Sequence, residues 1–128
     1  MNDLRHFKIS EFDCPCCGQT FMETAFLNMI DNARHGCDPY GIKFNISSGY
    51  RCSKHNLKVK GSRTSSHLLG LAADIECIDS TSRFWMERFL MHVGFKRMGE
   101  GTNFVHVDLD LMKAQNVKWR YDPKEVWS

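Results

Sequence analysis

Residues 65–74 have the sequence SSHLLGLAAD, in which six residues separate a histidine, His67, from an aspartate, Asp74. The compact apolar run over residues 71–78 predicts a buried strand around Asp74. A carboxylate in such a strand is costly unless it binds a metal or pairs with a cation. The stretch is therefore a candidate functional site as well as part of the core.

A second stretch, residues 104–108, has the sequence FVHVD and adds another histidine, His106. Alternation along a strand directs His106 and Asp108 to one face and the two valines to the other. Two imidazoles and one carboxylate suit a catalytic zinc, which takes three protein ligands and leaves a fourth position for water. Taken singly, the same residues also fit a loop histidine, an ion-paired aspartate and a hydrogen-bonded core histidine.

Two helices are predicted outside these stretches. Apolar residues recur at helical spacing over residues 24–35, and Gly36 is a plausible end of that helix. The serine and threonine hydroxyls of residues 80–82 can cap a second helix that runs to about residue 92.

Short extended segments make up most of the remaining regular structure. Strands are predicted at residues 42–47, 71–78, 95–98 and 103–109. A turn at Gly99-Glu100-Gly101 joins the last two, and we expect Trp119, Tyr121 and Trp127 of the tail to pack back on the domain. This mixture predicts an α+β fold with a small, mostly antiparallel sheet flanked by helices.

Length and composition limit the function classes. The 128 residues suit one domain over residues 1–128, and the apolar (42%) and charged (25%) fractions are those of an ordinary globular chain. A net charge of +2 and the lack of a long apolar run predict neither a nucleic-acid nor a membrane partner. The first residues lack the apolar core of a signal peptide, so we expect synthesis in the cytoplasm. We also expect a monomer.

Six cysteines are many for that compartment, and three of them cluster as Cys14, Cys16 and Cys17. They could hold a structural zinc, with Cys37 or another cysteine as the fourth ligand. We favour a turn of small buried thiols, because a single knuckle without a second cysteine pair is a weak signal.

Three phrases together resemble a known family. They are residues 47–51 (SSGYR), residues 65–74 and residues 104–108, and they look like the zinc D-Ala-D-Ala carboxypeptidases, more closely the short phage and prophage members that cleave peptidoglycan peptides. The resemblance covers residues 7–109 and extends to the segment FDCPCCG at its start. It implies a fold like that of hedgehog domains and D-Ala-D-Ala peptidases.

The resemblance also implies roles for individual residues. His67, Asp74 and His106 correspond to the ligands of Zn²⁺. Arg51 would lie beside the metal, where its guanidinium could stabilise an oxyanion or hold a substrate carboxylate, although a structural ion pair is equally open. Ser65 resembles a serine that binds substrate next to the first histidine.

The general base is where the sequence departs from the family. Several members carry an acidic residue three positions before the last histidine, and Asn103 stands there in this chain. Glu100 is the preferred substitute as catalytic base. Asp108 is the second candidate, although we favour it as a residue that orients a ligand imidazole.

The expected function is therefore that of a zinc metallopeptidase that hydrolyses amide bonds in bacterial peptidoglycan peptides, either as a D-Ala-D-Ala carboxypeptidase or as an endolysin-type endopeptidase. Such an enzyme would reach the cell wall when a phage or prophage lyses its host. The alternative is a non-catalytic, zinc-containing module that binds peptidoglycan or a protein, because the usual base is missing.

Overall fold

A five-stranded sheet forms the centre of the fold in the computed structural model, which describes residues 4–121. The strands are β1 (Ile46–Ser48), β2 (Ala72–Glu76), β3 (Arg97–Glu100), β4 (Phe104–Asp108) and β5 (Val117–Arg120). They lie in the order β1-β2-β4-β3-β5. All neighbours are antiparallel except β3 and β5, which are parallel. The predicted α+β class is confirmed, with a mixed sheet.

Three helices accompany this sheet within residues 4–121. They are α1 (Thr24–Cys37), α2 (Ser53–Lys58) and α3 (Ser80–His92), with 3₁₀ turns at Ile9–Phe12, Asp38–Tyr40 and Ser66–Leu69. Helices α1 and α3 pack against each other, and Gly36 lies under the ring of Phe89 at their contact. Gly36 therefore permits a close helix crossing inside α1 and does not end that helix as predicted. The cap of α3 is the carboxylate of Asp79, which accepts from the Ser82 amide at 2.7 Å.

Strand alternation gives the sheet two different faces. Ile75, Val105 and Val107 belong to the buried apolar cluster that α1 and α3 cover. Asp74, His106 and Asp108 alternate with them and point to the opposite face. The sheet thus separates a hydrophobic core from a polar surface, and the sequence pattern of β2 and β4 assigns each side chain to one or the other.

Several predicted boundaries shift. The first strand begins at residue 46 and not at residue 42, and β3 covers residues 97–100, so Glu100 belongs to a strand and not to a turn. Strand β5 is not predicted by the sequence, because within residues 4–121 it pairs with β3 alone, and this pairing is parallel. Trp127 lies outside the described residues. No helix within residues 4–121 is long and apolar enough to cross a membrane.

Candidate metal centre

Two neighbouring strands and one short turn bring the predicted ligands together. Asp74 in β2 lies directly opposite His106 in β4 in the antiparallel register. His67 is on the 3₁₀ turn Ser66–Leu69, just before β2. The potential ligand atoms of the three residues all lie within 4.8 Å of one another. Three residues from separate parts of the sequence therefore lie together as a compact triad.

The His67 ring is held in one orientation by the backbone. Its Nδ1 lies 2.7 Å from the carbonyl oxygen of Gly49. A carbonyl can only accept, so Nδ1 carries a proton, and in the neutral ring Nε2 has the free lone pair. That Nε2 lies 3.4 Å from Oδ1 of Asp74. His67 therefore offers Nε2 to a metal, with its other nitrogen oriented as metal-ligating histidines usually are.

The His106 ring is held by a carboxylate on its own strand. Its Nε2 lies 2.8 Å from Oδ2 of Asp108, and its Nδ1 lies 2.8 Å from Oδ1 of Asp74. Asp108 is buried, and its other oxygen accepts from Nε of Arg97 at 2.7 Å. When Nε2 donates to Asp108, Nδ1 is left as the metal-binding nitrogen. Asp108 thus takes the orienting position that we favoured for it.

The electrostatics of the triad show how tightly these groups interact. Burial alone would raise the pKa of Asp74, but the charges and hydrogen bonds of His67 and His106 outweigh burial and hold this pKa well below its ordinary value. Burial would lower the pKa of His106, yet the hydrogen bonds that its ring donates to Asp108 and Asp74 raise this pKa to about 9. Two imidazole nitrogens and a carboxylate oxygen that converge in this way fit a divalent cation with three protein ligands.

Arg51 lies beside the triad. Its Nη2 is 3.5 Å from Oδ2 of Asp74. Two further contacts hold the guanidinium: Nε donates to Ser48 Oγ at 3.1 Å and Nη1 donates to Asn56 Oδ1 at 3.2 Å. The structure therefore contains the structural ion pair, and it also leaves the guanidinium in the wall of the cavity, where a substrate group could meet it.

Ser65 has a local structural role. Its hydroxyl oxygen accepts from the backbone N–H of His67 at 3.3 Å and caps the 3₁₀ turn that carries this ligand. Ser65 also lines the cavity next to His67. The predicted contact with substrate stays a prediction.

An open cavity of about 560 Å³ lies over the triad. Among its lining residues are Asn103, Lys113, Trp119 and Tyr121, beside the triad itself. Burial raises the pKa of Tyr121 to about 12, so its phenol keeps the proton near neutral pH. Within residues 4–121, the carboxylates that line this cavity are those of Asp74 and Asp108.

Glu100 is not near the triad, which corrects its prediction as catalytic base. In the register of β3 and β4 it lies opposite Val105, on the helix-covered face. Its Oε2 is 3.1 Å from Nζ of Lys118, and its carboxylate also interacts with that of Glu87. The prediction places Glu100 in a turn close to His106, whereas strand alternation directs the Glu100 side chain away from His106.

Two residues of the site, Arg97 and Trp119, are not assigned to it by the sequence pattern. Arg97 lies with its guanidinium carbon 4.9 Å from the ring centroid of Trp119, and it also pairs with Asp108. The Trp119 ring centroid is 5.6 Å from that of His106. Gly99 is the sequence signal for the approach of Trp119, because a Cβ at this position would lie 2.6 Å from the Trp119 indole nitrogen. A strand glycine often marks such a close approach.

The fold and the triad together define a class of protein. Three protein ligands at the base of an open cavity are typical of a catalytic metal site, whereas a structural zinc has four protein ligands and no open position.

The chain belongs to the peptidase M15 family, whose model matches residues 5–108. This match includes all three triad residues and confirms the resemblance to zinc D-Ala-D-Ala carboxypeptidases. Membership indicates a zinc-dependent metallopeptidase. No curated protein matches the chain.

Proposed function

We propose that this chain is a zinc metallopeptidase that hydrolyses amide bonds in the peptides of bacterial peptidoglycan. The observation that carries the proposal is the convergence of His67 Nε2, His106 Nδ1 and the Asp74 carboxylate under an open cavity in a chain of the M15 family. Zinc, when bound there, would polarise the scissile carbonyl and acidify a water molecule.

The chain's own residues orient the reaction. Gly49 and Asp108 fix the two imidazoles, so the ligand set is organised before substrate arrives. The Arg51 guanidinium is a cation whose position beside Asp74 is fixed by its contacts. It is suited to stabilise a developing oxyanion or to bind the terminal carboxylate of a peptide. The protonated phenol of Tyr121 is a further donor in the same cavity wall.

Proton transfer is the step of hydrolysis for which the described cavity has the fewest suitable side chains. Asn103 lines the cavity but cannot take a proton, and Asp108 is already engaged by His106 and Arg97. The same observation supports a second candidate, a zinc-containing module that binds peptidoglycan without cutting it. In both cases the partner is a cell-wall peptide, and the setting we propose is lysis by a phage or prophage.

Digestion of purified sacculi distinguishes the two candidates. The protein is incubated with zinc and sacculi, and soluble peptides are analysed by mass spectrometry, with His67→Ala as the matched variant. New amino or carboxyl ends that require His67 support the peptidase and identify the bond. Binding to sacculi without new ends supports the binding module, and equal release by His67→Ala would show that the assigned site is wrong.

A further inference from the structure

A second cluster of metal-ligating side chains lies outside the candidate metal centre. It joins the N-terminal segment to the connector between β1 and α2. We propose that Cys14, Cys16, Cys17 and Cys52 bind a structural Zn²⁺, distinct from the one held by the His67 triad. This inference does not depend on the proposed peptidase activity.

The sulfur positions carry the proposal. The Sγ atoms of Cys14, Cys17 and Cys52 all lie within 4.8 Å of one another. Cys14 and Cys52 are 3.7 Å apart at their sulfurs. A tetrahedral zinc with Zn–S bonds of about 2.3 Å has S···S edges of about 3.8 Å. The pair therefore already has the separation that two zinc ligands need.

Cys16 completes the set of four. It is exposed, and its thiol interacts with that of Cys52. Cys37, the other candidate for the fourth ligand, is buried at the end of α1, where its Sγ lies 3.5 Å from the Trp85 carbonyl oxygen. The fourth position thus goes to a cysteine of the same short segment, while Cys37 belongs to the core.

The backbone conformation next to the cysteines suits such a site. Gly18 has a φ of +73°, and its N–H donates to the Cys14 carbonyl at 2.7 Å. This left-handed position favours glycine and turns Cys17 back beside Cys14. The backbone N–H of Cys52 lies 3.5 Å from the Cys14 sulfur. Amide donors aimed at a sulfur favour the thiolate, which is the form that binds metal.

The connector explains what a metal here would stabilise. The Tyr50 amide donates to the Phe12 carbonyl at 2.9 Å, so the two segments already touch. The same connector carries Gly49, whose carbonyl orients His67, and Arg51, which contacts Asp74. A zinc bound by the four cysteines would fix the position of this connector from outside the cavity.

Metal substitution with Co²⁺ tests the proposal without any activity measurement. Thiolate-to-cobalt charge-transfer absorption reports cysteine ligands, and the His67 triad contains none. We expect that absorption in the wild-type protein and in His67→Ala at equal intensity. Zinc content should be about two ions per wild-type chain and about one in Cys52→Ser. Cys17→Ser, at an exposed position, provides a second variant if Cys52→Ser does not fold.

The matched control is Cys77→Ser, which removes a buried thiol elsewhere in the described chain. It should keep both the absorption and the zinc. The proposal is overturned if the wild-type protein shows no thiolate absorption, if Cys77→Ser removes it, or if peptide mapping of the freshly purified protein finds Cys14 and Cys52 joined in a disulfide. Loss of wall digestion with the absorption intact would concern the proposed function alone.

Discussion

The Nε2 atom of His106 lies 2.8 Å from the carboxylate of Asp108, two residues further along the same strand. Residues two apart in a strand share a face, so this pair needs no long-range packing to form. Burial would raise the pKa of Asp108, but the hydrogen bond to His106 and the nearby charges keep it lowered. Asp108 therefore stays ionised and keeps Nδ1 of His106 directed at Asp74.

Asp108→Asn should weaken zinc binding at the triad by about 10- to 100-fold, because the ligand imidazole loses its orienting carboxylate. Competition with a chromophoric chelator measures the affinity. Glu76→Gln is the matched control, since Glu76 is an exposed carboxylate of β2 on the same face as Asp74. Unchanged affinity in Asp108→Asn would mean that Asp108 does not orient the ligand.

Glu100→Gln should leave wall digestion within about threefold of wild type, whereas loss of a true general base costs about 10²- to 10⁴-fold. The reason is that Glu100 faces Lys118 on the opposite side of the sheet from His106. Initial rates on sacculi provide the measurement. A hundredfold loss with unchanged thermal stability would restore Glu100 to the catalytic site.

Arg51→Ala should lower kcat by about 10²- to 10³-fold and leave zinc at the triad, if the guanidinium stabilises the developing oxyanion. Arg83→Ala is the matched control, because Arg83 also makes an ion pair and carbonyl contacts but lies away from the cavity lining. Zinc content and kcat are measured on both. A loss of stability without a loss of kcat would leave Arg51 with the ion-pair role alone.

Zinc should stabilise the fold through the triad. At a free concentration of about 100 times Kd, a ligand that binds only the native state adds about 2.7 kcal/mol to the free energy of unfolding. The triad's share is the difference between wild type and His67→Ala, each unfolded in urea with and without zinc. Equal stabilisation of the two proteins would show that zinc acts elsewhere.

Gly99→Ala should destabilise the protein by about 1–3 kcal/mol, because a Cβ there would lie 2.6 Å from the Trp119 indole and 2.7 Å from the Tyr121 ring. Both rings line the cavity, so zinc affinity and wall digestion should fall with stability. Urea denaturation measures the change. Wild-type stability in Gly99→Ala would mean that Trp119 packs differently.

Part of the triad has local signals in the sequence, and the resemblance to the peptidase family supplies the rest, including the role of His67. A lone carboxylate in an apolar strand identifies Asp74, and alternation in β4 assigns His106 and Asp108 to one face. Glu100 was misplaced because β3 extends two residues further than the pattern suggested, and one strand position reverses the direction of a side chain.

Other features depend on contacts between distant segments, which no spacing along the chain reveals. Cys52 meets Cys14 across 38 positions. Trp119 reaches His106 only through parallel pairing of β5 with β3. Arg97 was missed for the same reason, since its partners are Asp108 on β4 and the Trp119 ring on β5.

The two faces of β4 have a consequence for how this sequence can change over time. Inserting one residue between Val105 and His106 would exchange every following side chain of the strand between the core and the cavity. The inserted residue would then stand where the imidazole binds, the imidazole itself would enter the apolar core, and Val107 would face the cavity. Strand β4 can thus accept substitutions at some positions, whereas a change of one residue in its length disrupts the site unless a β-bulge, such as the irregularity between Ile46 and Ser48 in β1, absorbs it.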